Sequence, residues 1–189
     1  VATLSVEGPH VLRRNGEVME VSSTGEFGPN LSGFSLIRPP RSLDDIRDIG
    51  LGKELLVKVN PKLIIDVEAT TGGVRSTGVP RFGRVRVTAG GCHLSDVVEV
   101  SDLLSQAGGV TVEGPVSLGR SRLKVESGSL TLVLKPGSSV TVHADAKFGH
   151  IRWPEDNGGA DEVVFGNGSA RCDLTVPMGL ATVKSEVPA

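Results

Sequence analysis

Tyrosine is missing from the chain, tryptophan occurs once and phenylalanine five times. A core without aromatic clusters has to be assembled from aliphatic side chains stacked in rows. The two cysteines, Cys92 and Cys172, match no CxxC or Cys/His ligand spacing, which excludes a zinc-finger type of site. Charge of one sign is also lacking. Twenty basic and 22 acidic residues leave a formal net charge of −2, so no global field draws the chain to nucleic acid or anionic lipid. No run approaches the ~18 to 20 apolar residues of a helical membrane span. The chain opens on Val1 without a charged-then-apolar leader, which reads as a processed or excised product and leaves the compartment open.

Glycine, by contrast, is abundant, with 25 residues alongside 11 prolines, and valine and leucine supply most of the apolar mass. The glycines are ordered. TTGGVRS, AGGCHLS, AGGVTVE, ESGSLTL, KFGHIRW and PMGLATV each set a glycine before an apolar-alternating run, and counted on Gly73, Gly91, Gly109, Gly128, Gly149 and Gly179 the intervals are 18, 18, 19, 21 and 30 residues. A period near twenty is the mark of a repeat architecture. Around the glycines, pairs such as Val85 and Val87, Val110 and Val112, Leu130 and Leu132, and Val140 and Val142 keep period two, as strands with one buried face do. A corner between two strand faces needs positive φ or close backbone approach, which glycine supplies without steric cost. Gly109 and Gly128 are therefore expected to tolerate valine poorly.

These patterns predict an all-β, single-stranded β-solenoid of about six short coils at ~4.8 Å each, forming one domain over 1–189. Residues 1–23 read as strands joined by turns, with Asn15-Gly16 as a hairpin signal. Residues 24–53 read as an irregular, Pro- and Gly-rich insert. Within it Ser42 to Gly50 has a capping serine, Asp44 and Asp45 at the start, and Leu43, Ile46 and Ile49 on one face, which predicts a short helix capping the coils. The other reading of the insert is a partner-binding loop around Arg38-Pro39-Pro40-Arg41. Regular coils are expected over 54–185, interrupted by a helical turn or tight loop in SDLLSQAGG and by an insertion at Trp153 to Glu162. The tail SEVPA is expected to fray.

KELLVKVNPKLIIDVEATTGGV, the recurring strand, glycine and polar turn, and the closing GNGSARCDLTVPMGLATVKSE together resemble bacterial adhesin-type β-solenoids, the head-GIN-type domains of unknown function. The resemblance spans about Glu54 to Ser185. It implies a single-chain β-solenoid and carries no catalytic residues to transfer. The stretch from Gly28 to Gly52 departs from that pattern. Bactofilins, which polymerise, are similar in architecture only.

Enzymatic chemistry finds little foothold. Asp66, Glu68, Asp96, Glu99, Glu113, Glu126 and Asp145 are scattered and mostly alternate with apolar residues, as solvated strand positions do. His10, His93, His143 and His150 have no HxH or HExxH spacing, although His143 and His150 could meet across a corner. No phosphate loop or nucleophile pattern is present. The expectation is a protein that is not an enzyme and needs no cofactor or metal. It would be a structural or interaction module whose partner is another protein or itself. Self-assembly in the manner of bactofilins and a carbohydrate-directed β-helix are the alternatives. The candidate interaction residues are Arg38, Arg41, Trp153, Glu155 and Asp156. Trp153 either projects from its insertion as a contact or packs over the core with Phe148 and Phe165. Cys92 and Cys172 fall on apolar positions and read as buried free thiols.

Overall fold

In the computed structural model, residues 4–7, 10–15, 18–23 and 56–187 are described. They are all-β, and no helix is found among them. The predicted helix at Ser42 to Gly50 and the residues Arg38 and Arg41 lie outside the described residues. Contacts divide the chain into two units, Val1–Asn60 and Pro61–Ala189.

Among the described residues of the first unit there are four strands. β2 (His10–Asn15) and β3 (Val18–Ser23) form the antiparallel hairpin expected from Asn15-Gly16, with Asn15 opposite Val18. β1 (Leu4–Glu7) pairs antiparallel with β4 (Leu56–Val59), Leu4 opposite Val59. Leu56 to Val59, expected to open the regular coils, thus pair within this unit.

The second unit is built on a mostly parallel sheet that does not close into a barrel. Its strands are β5 (Ile65–Thr71), β6 (Val74–Ser76), β7 (Arg81–Ala89), β8 (Cys92–Leu94), β9 (Glu99–Gly114), β10 (Arg120–Leu134), β11 (Val140–Asp145), β12 (His150–Arg152), β13 (Glu162–Phe165), β14 (Ala170–Thr175) and β15 (Met178–Ser185). SDLLSQAGG is not a helical turn. It lies within β9, because Val100, Leu103 and Ser105 all point inward and so continue the strand.

Each rung of the stack is a strand, a glycine and a second strand. Inward residues alternate along the first strand, then slip by one position at the glycine. Val87 is followed by Cys92, Ser105 by Val110, Val125 by Leu130 and Val176 by Ala181, five residues on each time. Both sets nevertheless pack into one core cluster. An odd step with both sides facing the same core requires the chain to turn a corner. The corner residues are Gly72, Gly90, Gly108, Gly128 and Gly179, one position before Gly73, Gly91 and Gly109 in the double-glycine copies. Gly90, Gly108, Gly128 and Gly179 have φ between +129° and +141°. Each also lies against the backbone of the glycine in the preceding rung, so the corner excludes a Cβ on two counts.

Two rungs carry an extra residue in the first strand. Phe82 and Val85 are successive inward residues in β7, and so are Val100 and Leu103 in β9, three apart rather than two. The flanking strands lack the extra residue, and the register of β5 on β7 shifts between Ile65 and Val67. Side chains close the gaps that this bulge leaves. Arg84 N–H donates to Asp66 Oδ1 at 2.8 Å, and Val100 N–H donates to the buried Ser121 hydroxyl at 3.0 Å.

Spatial order departs from chain order at one end. The sheet runs β13-β11-β14-β10-β9-β7-β5. After β10 the chain skips a rung to lay down β11 and β12 and returns in β13, antiparallel to β11. It then places β14 and β15 in the skipped rung, parallel to β10 on one side and to β11 and β12 on the other. The long interval from Gly149 to Gly179 reflects this detour. The expected fraying does not start at Ser185. Glu186 N–H donates to Leu134 O at 2.8 Å, and Val187 packs against the core.

Candidate functional site

The insertion that begins at Trp153 is a self-structured turn between β12 and β13. Gly158 N–H donates to Asp156 Oδ1 at 3.0 Å, Gly159 N–H to Asn157 Oδ1 at 3.2 Å, and Asn157 Nδ2 to Ala160 O at 2.7 Å. Such Asx turns hold a loop without help from the core. Glu155 and Asp156 are exposed upon it. Trp153 is partly buried and packs against the core, as Phe165 does, so of its two readings the structure gives the packed one.

Phe148 does not join them. It is 87% exposed, and Met178 is 61% exposed. Met178 stands immediately before the corner glycine Gly179 and Phe148 immediately before Gly149, on two rungs whose glycines meet: a Cβ on Gly149 would lie 3.2 Å from Gly179 N. Phe148 N–H donates to Pro177 O at 3.0 Å, which fastens the two rungs together at this point. The equivalent positions on the preceding rungs are Ala89, Ala107 and Ser127, paired in register with one another and with Met178. The corner is thus an exposed ridge of small side chains that ends in a methionine and a phenylalanine. Sequence reasoning missed this pair by grouping Phe148 with Phe165 as a packing partner of Trp153 over the core. The available signal was its place directly before the glycine, where the earlier copies carry threonine, alanine or serine.

The outward side chains of the first strands form a charged row across the sheet. Arg122 stands opposite Asp173, Asp173 opposite His143, and His143 opposite Glu162. Asp173 is the hub. It accepts from Arg120 Nε at 2.9 Å and from Arg171 Nε at 3.1 Å, and Arg171 Nη1 lies 3.9 Å from Glu162. Burial pushes the Asp173 carboxyl up, but the Arg120 hydrogen bond and the charges of Arg171 and Arg120 outweigh it and hold the group below its usual range. Further along, Arg81 pairs with Glu99 at 3.2 Å and Arg86 with Asp102 at 2.6 Å. These carboxylates are thus neutralised by cations on neighbouring strands, an arrangement that favours one strand register over a slipped one.

The remaining candidates do not converge. His143 lies on β11 opposite Asp173, whereas His150 lies on β12 opposite Leu180. Among the described residues no three His, Cys, Asp or Glu side chains are grouped to hold a metal ion. Both cysteines are buried and free. Cys92 sits between Val74 and Val110, and Cys172 stands opposite Val142 and Ser121. Burial pushes the Cys92 thiol up to about 11, and burial with the neighbouring Asp173 charge pushes Cys172 to about 12, so both are protonated and inert at neutral pH.

Comparison with protein-family models, with curated proteins and with solved structures finds no match to this chain. No helix among the described residues is long and apolar enough to cross a membrane.

Proposed function

We propose that the chain is a non-enzymatic interaction module of the adhesin-like β-solenoid type, and that it meets a protein partner through the Phe148–Met178 end of its corner ridge. The reading as a solenoid is supported by parallel rungs that turn at stacked glycines around one core. The observation that carries the function is the exposure of Phe148, the largest apolar side chain left in solvent among the described residues, beside exposed Met178. Aromatic and methionine side chains are enriched in the cores of protein interfaces. The charged row beside the ridge, neutralised within the sheet, would form a polar surround. Filament growth by parallel stacking is less favoured at this end, because β13 lies antiparallel along the outer edge of β11.

The test compares immobilised wild type with a Phe148→Ser/Met178→Ser variant in native extract. Because both side chains are exposed, the variant is expected to melt with the wild type while losing proteins that the wild type retains. Identical retained sets, or turnover of a polysaccharide by the wild type, would overturn the reading.

A further inference from the structure

The rung formed by β14 and β15 occupies a slot whose two walls are laid down earlier in the chain. One wall is β10, which pairs with β14 through Arg120 to Lys124 and with β15 through Ser127 to Leu134. The other is β11 with β12, which pairs through Val140 to Asp145 and His150 to Arg152. The slot is deep as well as long. Ala170, Cys172, Leu174, Val176, Ala181 and Val183 all enter the core from this rung. Until it is filled, two parallel strand edges face each other across the width of one strand, about 10 Å from wall to wall. Unpaired edges of that kind recruit another strand.

What connects the filling rung to the rest is small. Only Gly166 to Ser169 separate β13 from β14, and they must pass round the start of β11, since Phe165 and Ala170 flank Val140 on opposite sides. Gly166 and Gly168 both have positive φ, and Asn167 N–H donates to Ser139 Oγ at 3.1 Å. This short turn either folds back, filling the chain's own slot, or opens and delivers the rung elsewhere. Extended, the four residues span about 13 to 14 Å, more than the two strand spacings they cross when folded back.

We propose that the slot between β10 and β11–β12 accepts the β14–β15 rung of a second copy of this chain, so that two copies exchange rungs and each completes the other's sheet. The exchanged dimer keeps every contact of the single chain except those of the turn, which is why exchange of an identical element has a low energetic cost. A foreign strand would have to supply the same six inward side chains and an acid at the Asp173 position; a second copy has them already. The inference goes beyond the ridge proposal and does not rest on it: Met178 opens β15 and travels with the rung, but exchange needs only the strand pairing and the inward side chains, not a partner bound at Phe148 and Met178.

A cysteine pair across the slot wall tests it on the whole 189-residue chain. Lys135 Nζ lies 3.0 Å from Glu186 Oε1, joining the end of β10 to the residue that follows β15. One tagged copy carries Lys135→Cys and a differently tagged copy carries Glu186→Cys. Unfolded together, refolded at high concentration and oxidised, they are expected to form a disulfide between copies, in a dimer that native mixing of the folded proteins does not give. Deleting Gly166, Asn167 and Gly168 leaves one residue and a reach of about 7 Å, short of the two strand spacings of about 10 Å back to its own slot, and is expected to shift the chain wholly to dimer. A single chain bearing both cysteines serves as the control for internal closure. The proposal is overturned if co-refolded copies remain monomers without a cross-link, or if the shortened chain folds as a monomer. It is overturned equally if the cross-link arises on native mixing alone.

Discussion

Gly128 lies flat on Gly108: a Cβ added to Gly128 would come within 2.9 Å of the Gly108 carbonyl carbon, at a residue whose φ is +141°. Gly109, the next residue along, has an ordinary φ, and its nearest obstacle is the Ser129 hydroxyl at 3.3 Å, a movable side-chain end. Two adjacent glycines thus differ in kind. Gly108→Ala and Gly128→Ala are expected to cost about 3 kcal/mol or more each, since backbone strain and a backbone clash add. Gly109→Ala is expected to cost less than about 1 kcal/mol. Urea denaturation of the three variants gives the ranking, and equal midpoints for Gly108→Ala and Gly109→Ala would refute the corner.

That one-residue offset shows how far the sequence could be read. Period-two valines and leucines mark strands because only the buried face is selected for apolarity, and the repeat spacing marks rungs of equal length. Which glycine of a pair sits at the corner depends on φ, and Gly90-Gly91 looks the same in either order. The skipped rung was invisible for a different reason. β14 has the same inward alternation as any other strand, with Cys172 and Leu174 in place of valines, so composition carries no record of which neighbours it pairs with. Phe148 was misplaced by treating every large apolar residue near a beat as core.

Two buried serines should respond to alanine with opposite signs. Ser121 accepts the Val100 amide where β9 bulges, and its removal leaves that N–H without a partner, at a cost of about 1 to 3 kcal/mol. Ser105 is fully buried between Val87 and Val125, and its hydroxyl has no hydrogen-bond partner. Ser105→Ala removes an uncompensated polar group and is expected to raise stability by about 1 kcal/mol. Thermal melts of the two variants should bracket the wild type. A destabilised Ser105→Ala would mean that its hydroxyl is bonded after all.

The thiols give a test of the core as a whole. Cys92 and Cys172 are expected to resist an aromatic disulfide reagent in the native protein and to react together on unfolding, and reductant should leave the melting temperature unchanged. Their raised pKa values also fix a sign. Below pH 9.0, the ordinary thiol value, both states keep the proton and the contribution is fully present. Above it the unfolded chain ionises first, so stability falls as pH rises towards the folded values of about 11 and 12. Cys92→Ala/Cys172→Ala should flatten that alkaline slope, and an unchanged slope would place its origin in other groups.

Asp173 supplies the opposite limb. Its carboxyl is held below the ordinary value by Arg120 and Arg171, so its contribution is present above pH 3.8 and lost as pH falls through the folded value. Asp173→Asn keeps the shape and some hydrogen bonding but removes the charge between two arginines. With both arginines about half exposed, the loss at neutral pH is expected to be about 1 kcal/mol, in line with partly screened pairs. The informative quantity is the difference between variant and wild type as pH falls. It should shrink steadily below pH 4 and vanish once the wild-type carboxyl is protonated, because both chains then carry a neutral side chain at that position. High salt at pH 7 should narrow the same gap, since it screens the half-exposed pairs. A gap that persists unchanged in acid would assign the Asn effect to packing on β14 and remove Asp173 from its place as the electrostatic hub between β10 and β14.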